Sequence, residues 1–149
     1  MMNSASDAQT AATHVRRLSN LTEALSERLE AETLAFVAHR PQDIVEGLGR
    51  TQDMANLYRR ESAQLKAQPG LAAAAPAADR QALIRATERF EDVLAKHAAA
   101  VTAARTVSEG VVQAIAAEVT ASRATGSGYG ALGRATSADG TAITLNRSA

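Results

Sequence analysis

Apolar side chains recur every three or four positions along three long segments of the chain, with charged and polar residues between them. The segments run over about residues 11–39, 42–66 and 80–122. This spacing places the apolar side chains on one face of an α-helix. The pattern therefore predicts three amphipathic helices whose apolar faces pack against one another.

The apolar residues of the first helix recur at spacings of three, four or their sum. Glutamates and arginines fill its other face, so we expect Glu30 and Glu32 to be solvated. Arg28 and Glu32 are also spaced for an ion pair across one turn. Pro41 ends this helix, because a proline pushes the residue before it out of the helical region. The stripe consists of Val15, Leu18, Leu21, Leu25, Leu29 and Phe36.

The second and third helices keep a strict alternation of four and three, which is a heptad seam. Gly110 is the single interruption in the third helix, so a break and fold-back there is the alternative to a continuous helix. We expect His97, which lies on this seam, to be a hydrogen-bonded structural histidine. The second seam is Ile44, Leu48, Thr51, Ala55, Tyr58, Ser62 and Leu65. The third seam is Leu83, Thr87, Phe90, Leu94, His97, Val101, Ala104, Ser108, Val111 and Ile115.

The segments outside these helices are rich in residues that interrupt helices. Residues 67–79 contain two prolines and a glycine and are predicted to be a linker, at whose end Asp79 is placed to cap the third helix. Residues 1–10 are expected to be a flexible N-terminus and residues 124–149 a disordered C-terminal tail. The predicted fold is all-α: an antiparallel three-helix bundle or helical hairpin, with one long C-terminal helix in the domain 11–123.

Composition excludes several classes of function. Lys plus Arg and Asp plus Glu number 16 each, so a neutral chain has no general electrostatic attraction for nucleic acid or an anionic membrane. There is no cysteine, which removes disulfides and thiol chemistry. No segment is apolar enough for a signal peptide or a membrane span, so we expect a cytoplasmic protein without membrane insertion.

A nucleotide-binding pattern and three histidines suggest chemical sites, but the residues around them do not fit those sites. Residues 128–133 read G-Y-G-A-L-G and match the dinucleotide-binding pattern, but that pattern requires a strand before it and a helix after it. A di-iron site in a helical bundle requires Glu-x-x-His pairs. The residues three positions before His14, His39 and His97 are not acidic, so the sequence contains no such pair. We therefore expect no catalytic residues, no cofactor and no metal, and a protein that is not an enzyme.

Helix lengths predict an uncovered apolar surface instead. At about 1.5 Å per residue the third helix is longer than the second by more than about 20 Å, beginning near Arg105. The uncovered part carries five aliphatic side chains, and the tail adds spaced apolar residues that are suited to folding on binding. An inert tail is the alternative. The predicted partner-binding residues are Val107, Val111, Val112, Ile115, Val119, Tyr129, Leu132, Ile143 and Leu145.

The order of these segments resembles the FlgN-type flagellar export chaperones. The resemblance rests on "LSNLTEALSERLEAETLAFVAHR", on "PQDIVEGLGRTQDMANLYRRESAQL" and on one long helix followed by a flexible end. The ending "YGALGRATSADGTAITLNRSA" is similar to the tails of shorter alphaproteobacterial members. The resemblance covers nearly the whole chain, although the glycine-rich ending departs from the larger members of the family.

The resemblance implies a cytosolic protein that binds the C-terminal helices of hook-associated (hook–filament junction) proteins. It also implies prevention of premature assembly, delivery to the export gate, and client binding by the C-terminal helix and tail. Such a protein would be a monomer or a weak homodimer. The alternative is a structural or regulatory coiled-coil protein of flagellar assembly that associates with itself through the same seam.

Overall fold

The computed structural model describes the backbone of residues 2–133 and the side chains of residues 3–126. The elements are α1 (Met2–Val37), a 3₁₀ helix (Pro41–Gly47), α2 (Leu48–Ala67), α3 (Pro69–Ala74) and α4 (Ala77–Gly133), with no strand among the described residues. The prediction of an all-α fold is confirmed. The chain divides into two compact units, Met1–Ala104 and Arg105–Ala149.

Helix α1 packs against every other helix of the first unit. It contacts α2, α3 and the 3₁₀ helix, and its Arg16 and Glu32 side chains reach Asp79 and His97 of α4. Arg16 pairs with Asp79, and Glu32 further along pairs with His97, so α1 and α4 run parallel. Helix α2 runs antiparallel to both, because its first turns pack beside the later part of α1. The helices of this unit therefore run up, down and up.

Two apolar clusters form the core of the first unit. In one, Leu25 and Leu29 of α1 pack with Phe90 and Val93 of α4, and Tyr58 of α2 closes the cluster. The rings of Tyr58 and Phe90 have centroids 4.8 Å apart. The second cluster lies near the start of α1 and is formed by Ala11, Val15, Leu65, Leu71, Ala75 and Leu83. Small residues in this second cluster let the helix backbones approach closely, which suits a chain with few aromatic residues.

Ion pairs on the surface fix the register of α1 against α4. Arg89 pairs with Glu23 and with Glu30, the latter at 3.0 Å between Nη2 and Oε2. The hydrogen bonds that Arg89 donates to Glu30 and Glu23 raise the pKa of Arg89 above its ordinary value. In the same way the hydrogen bond and charge of Asp79 raise the pKa of Arg16. These exposed pairs contribute little free energy each, but they are compatible with one register only.

A hydrogen-bonded terminus ends α1 before Pro41. His39 has a positive φ of 57°, the amide of Arg40 donates to the carbonyl of Ala35 at 2.8 Å and that of His39 to Phe36 at 3.1 Å. This is the Schellman arrangement, in which a left-handed residue lets the last carbonyls of a helix find donors. Helix α1 therefore ends with the carbonyls of Ala35 and Phe36 hydrogen-bonded, and the chain continues into the 3₁₀ helix.

The helices differ from the predicted bounds at both ends of the chain. Residues 1–10, expected to be flexible, belong to α1 from Met2 onward, and Thr10 Oγ1 donates to the Ser6 carbonyl at 2.9 Å. At the other end, α4 continues past residue 123 to Gly133, where disorder was expected from residue 124. Adding residues to an existing helix needs no new nucleus, so both packed helices extend beyond the residues that their apolar stripes predict.

The predicted linker and the start of the second helix also differ. Residues 41–47 form a 3₁₀ helix, and α2 begins only at Leu48. The Gly47 carbonyl accepts a hydrogen bond from Arg28 Nη2 at 2.7 Å, which anchors this junction. The linker 67–79 contains the short helix α3. Asp79 does not act as a cap: it lies within the first turn of α4 and accepts a hydrogen bond from Arg16.

Replacing His39 by glycine tests the terminus of α1. Glycine adopts a positive φ without the steric cost that other residues carry, so we expect His39→Gly to raise the free energy of unfolding by about 0.5–1 kcal/mol. His39→Val, which is β-branched, should lower it by a similar or larger amount. Chemical denaturation monitored by circular dichroism measures both. A stability loss for the glycine variant would contradict the left-handed conformation at this residue.

Candidate partner-binding face

The second unit carries a row of exposed aliphatic side chains on α4, here called the valine face. Its residues are Val107, Val111, Val112, Ile115 and Val119, whose exposed fractions are 53%, 53%, 64%, 55% and 45%. Every side chain from Arg105 to Gly126 is exposed. The five residues predicted from helix lengths therefore lie together on one uncovered helix.

The helical backbone of α4 sets the geometry of this face. The helix does not break at Gly110, so the alternative of a fold-back at that residue is wrong. With about 100° per residue, Val107, Val111, Ile115 and Val119 advance by about 40° each and Val112 lies beside Val119, so all five occupy less than half of the circumference. Ser108 and Ser122, which fall between them, are small and leave room for a second helix to approach.

Branching at Cβ makes this face stiff. Valine and isoleucine in a helix hold one strongly preferred χ1 rotamer. A partner that covers the face therefore orders few side-chain torsions, and most of the apolar contact becomes favourable free energy. The face thus has the chemistry of a binding surface for another apolar helix.

The first unit contains a separate groove of about 590 Å³ between α1, α2 and α4. Its apolar walls include Leu48 and Leu94, each 44% exposed, and Tyr58 and Phe90 lie deeper. His97 and Glu32 line one end. The groove marks the place where α2 and α4 cover each other incompletely.

A buried hydrogen-bond network closes that end of the groove. Glu32, only 6% exposed, receives a hydrogen bond from Thr51 Oγ1 at 2.7 Å, and its other oxygen lies 3.0 Å from His97 Nε2. Arg28 Nε donates to Thr51 Oγ1 at 2.9 Å, and the edge of the Phe36 ring packs against His97 with centroids 6.2 Å apart. The network joins α1, α2 and α4 at one level of the bundle.

This network confirms one sequence prediction and corrects another. His97 is a hydrogen-bonded structural histidine, as its position on the seam predicts. Glu32 is buried rather than solvated, and it meets Arg28 through Thr51 rather than directly. A signal was present in the sequence, because Glu32 lies three residues after Leu29 and four before Phe36, on the apolar stripe itself. A carboxylate on a stripe, with Thr51 and His97 on the facing seams, indicates a buried network.

The remaining predicted site residues lie at the end of the chain. Tyr129 and Leu132 fall on the helical backbone of α4, and their side chains are outside the described residues. Ile143 and Leu145 are outside the described residues altogether. The G-Y-G-A-L-G stretch lies within α4, which ends at Gly133, and a helix interior is not the strand-to-helix turn that binds a pyrophosphate.

The described part of the chain offers neither a membrane-spanning helix nor a metal site. None of its helices is both long and apolar enough to cross a membrane. Within the same residues, no group of three or more histidine, aspartate or glutamate side chains is placed to hold a metal ion.

Comparison with known proteins finds a close relative. The chain is 44% identical over 138 residues to the flagellar basal-body protein FlbY of Caulobacter vibrioides, which is 91% of this chain and 93% of that protein. The chain belongs to the FlbY family. No protein-family model and no solved structure matches it. The relationship covers almost the full length of both proteins, so it includes the bundle and the valine face together.

Removing the Glu32 carboxylate tests the buried network. Glu32→Ala removes the partner of the His97 ring and leaves the Thr51 hydroxyl with only its longer contact to the Gly47 carbonyl, at 3.2 Å. We therefore expect a loss of roughly 1–3 kcal/mol in the free energy of unfolding. Glu27→Ala is the matched control, since Glu27 is exposed on the same helix and should change stability by less than about 0.5 kcal/mol. Urea denaturation measures both; equal effects would show that the network contributes nothing.

Proposed function

We propose that this chain is a cytoplasmic flagellar export chaperone that binds hook-associated proteins through the valine face and the C-terminal tail. The supporting observation is the uncovered valine face itself, five stiff aliphatic side chains that remain exposed on a helix. Contiguous exposed apolar surface on a soluble protein commonly marks a binding site for another protein.

Kinship with a flagellar basal-body protein supports the flagellar part of the proposal. The relative is named for the basal body and is similar over nearly its whole length. The resemblance to FlgN-type chaperones supplies the finer part: the client class, delivery to the export gate, and binding by the C-terminal helix and tail. Valine-face residues fall in the region where that family binds its clients.

The mechanism follows from the shape and chemistry of the face. A client helix packs its apolar side against the valine face, and the two helices contact each other through side chains about one turn apart. The client's own assembly surface is then covered, so premature assembly is blocked. The C-terminal tail then closes over the client, and the affinity stays low enough for release at the export gate.

A self-associating structural protein of flagellar assembly is the second candidate. The name of the relative favours it, because a basal-body protein can be a structural component. Sedimentation velocity separates the two functions. A stable dimer without client favours the structural role, whereas a monomer that forms a one-to-one complex with a hook-associated protein favours the chaperone.

Charges placed on the valine face test the chaperone function. Val111→Asp together with Ile115→Asp puts two carboxylates where a client helix would bury aliphatic groups, so we expect affinity for purified hook-associated proteins to fall at least about tenfold. Isothermal titration calorimetry measures the affinity.

The matched control lies on the opposite side of the same helix. Gln113→Asp with Ala117→Asp has the same spacing and adds the same charge, and both residues are exposed. We expect this control to bind normally. Equal loss in both variants, or none in either, contradicts the proposed face. Deleting residues 126–149 tests the tail separately, and unchanged affinity would remove the tail from the site.

A further inference from the structure

Two arginines mark one edge of the valine face. Arg105 and Arg123 are eighteen residues apart, which is five full turns of an α-helix, so they have the same direction around the helix axis. That direction is next to Val112 and about 40° from Val119. Both arginines are exposed, and neither forms an ion pair within the described residues.

A glutamate marks the other edge. Glu118 lies about 140° around the helix from Arg123, in a direction between those of Val107 and Val111 at the opposite edge of the aliphatic row. It is exposed and has no ion-pair partner among the described side chains. Glu109 lies behind the basic edge, one turn from Arg105, and does not approach it within ion-pair distance. The face is therefore apolar in the middle, basic along one edge and acidic at one point of the other.

We propose that the valine face recognises an amphipathic helix that carries carboxylates along the flank facing Arg105 and Arg123. The inference rests on the proposed function and specifies its partner chemically. Opposite charges beside an apolar helix contact set partner choice and orientation, as they do along the edges of coiled coils. A partner helix with a basic flank instead places like charges together and is rejected.

A second copy of this chain fits the face less well when it lies antiparallel. With Val111 of one copy against Ile115 of the other, the basic edges coincide and Arg105 comes within about one turn of Arg123 of the second copy. Like charges in this arrangement repel. The edge charges therefore favour an acidic-flanked partner over antiparallel self-pairing.

Two synthetic helical peptides provide the probe. Both carry the same apolar seam, and they differ only in having glutamate or lysine along one flank. We expect the full chain to bind the glutamate peptide about fivefold more tightly than the lysine peptide, since exposed ion pairs contribute up to about 1 kcal/mol. Raising the salt concentration should reduce the ratio. Fluorescence anisotropy of labelled peptides measures both affinities.

Charge reversal of one arginine completes the test. Arg123→Glu should abolish or reverse the preference. Arg85→Glu, which makes the same change at an exposed residue of α4 in the first unit, should leave the preference intact. Equal binding of the two peptides, binding of neither, or an unchanged preference in Arg123→Glu overturns the inference. A chain that dimerises through this face and so excludes both peptides overturns it as well.

The same experiment distinguishes the inference from the proposed function. If the glutamate peptide binds selectively but hook-associated proteins do not bind, the chaperone function is wrong and the flank recognition stands. If hook-associated proteins bind but the two peptides bind equally, the function stands and the charged edges do not select the partner.

Discussion

The position at which α1 ends is the constraint on which the rest of the structure depends. Within the first unit α1 packs on every other helix, and its last packed turn brings Glu32 and Phe36 against His97. His39 and Pro41 then stop the helix. Helix α4 has no such stop, because it continues to Gly133. Helix α1 is thus stopped by His39 and Pro41, whereas the apolar seam of α4 continues to Val111 and Ile115, two residues of the valine face.

The buried network has a complementary part in this arrangement. A carboxylate, a hydroxyl and an imidazole meet where α1, α2 and α4 come together, and Arg28 ties them to the carbonyl of Gly47. A buried polar group is tolerated only where its partners are in place, so the network selects one register of the three helices. The exposed pairs of Arg89 with Glu23 and Glu30 select the same register from outside.

Much of the fold is readable in the sequence because the apolar spacing is regular. The stripe of α1 and the seams of α2 and α4 identify three helices, and their unequal lengths point to the residues that are exposed from Arg105 to Gly126. What escaped prediction depends on three-dimensional partners. Glu32 was expected to be solvated because its hydrogen-bond partners, Thr51 and His97, lie on other helices. The helical extensions at Met2 and Gly133 escaped because they depend on propagation from packed neighbours rather than on local pattern.

Amide hydrogen exchange tests the central claim, that the valine face is open until a client helix covers it. In the free protein, amides of residues 107–119 should exchange faster than those of the buried stretch of α1 around Leu25, because no tertiary contact protects them. Adding a purified hook-associated protein should slow exchange in 107–119. Strong protection of these amides in the free monomer, or no change when the client is bound, would contradict the account.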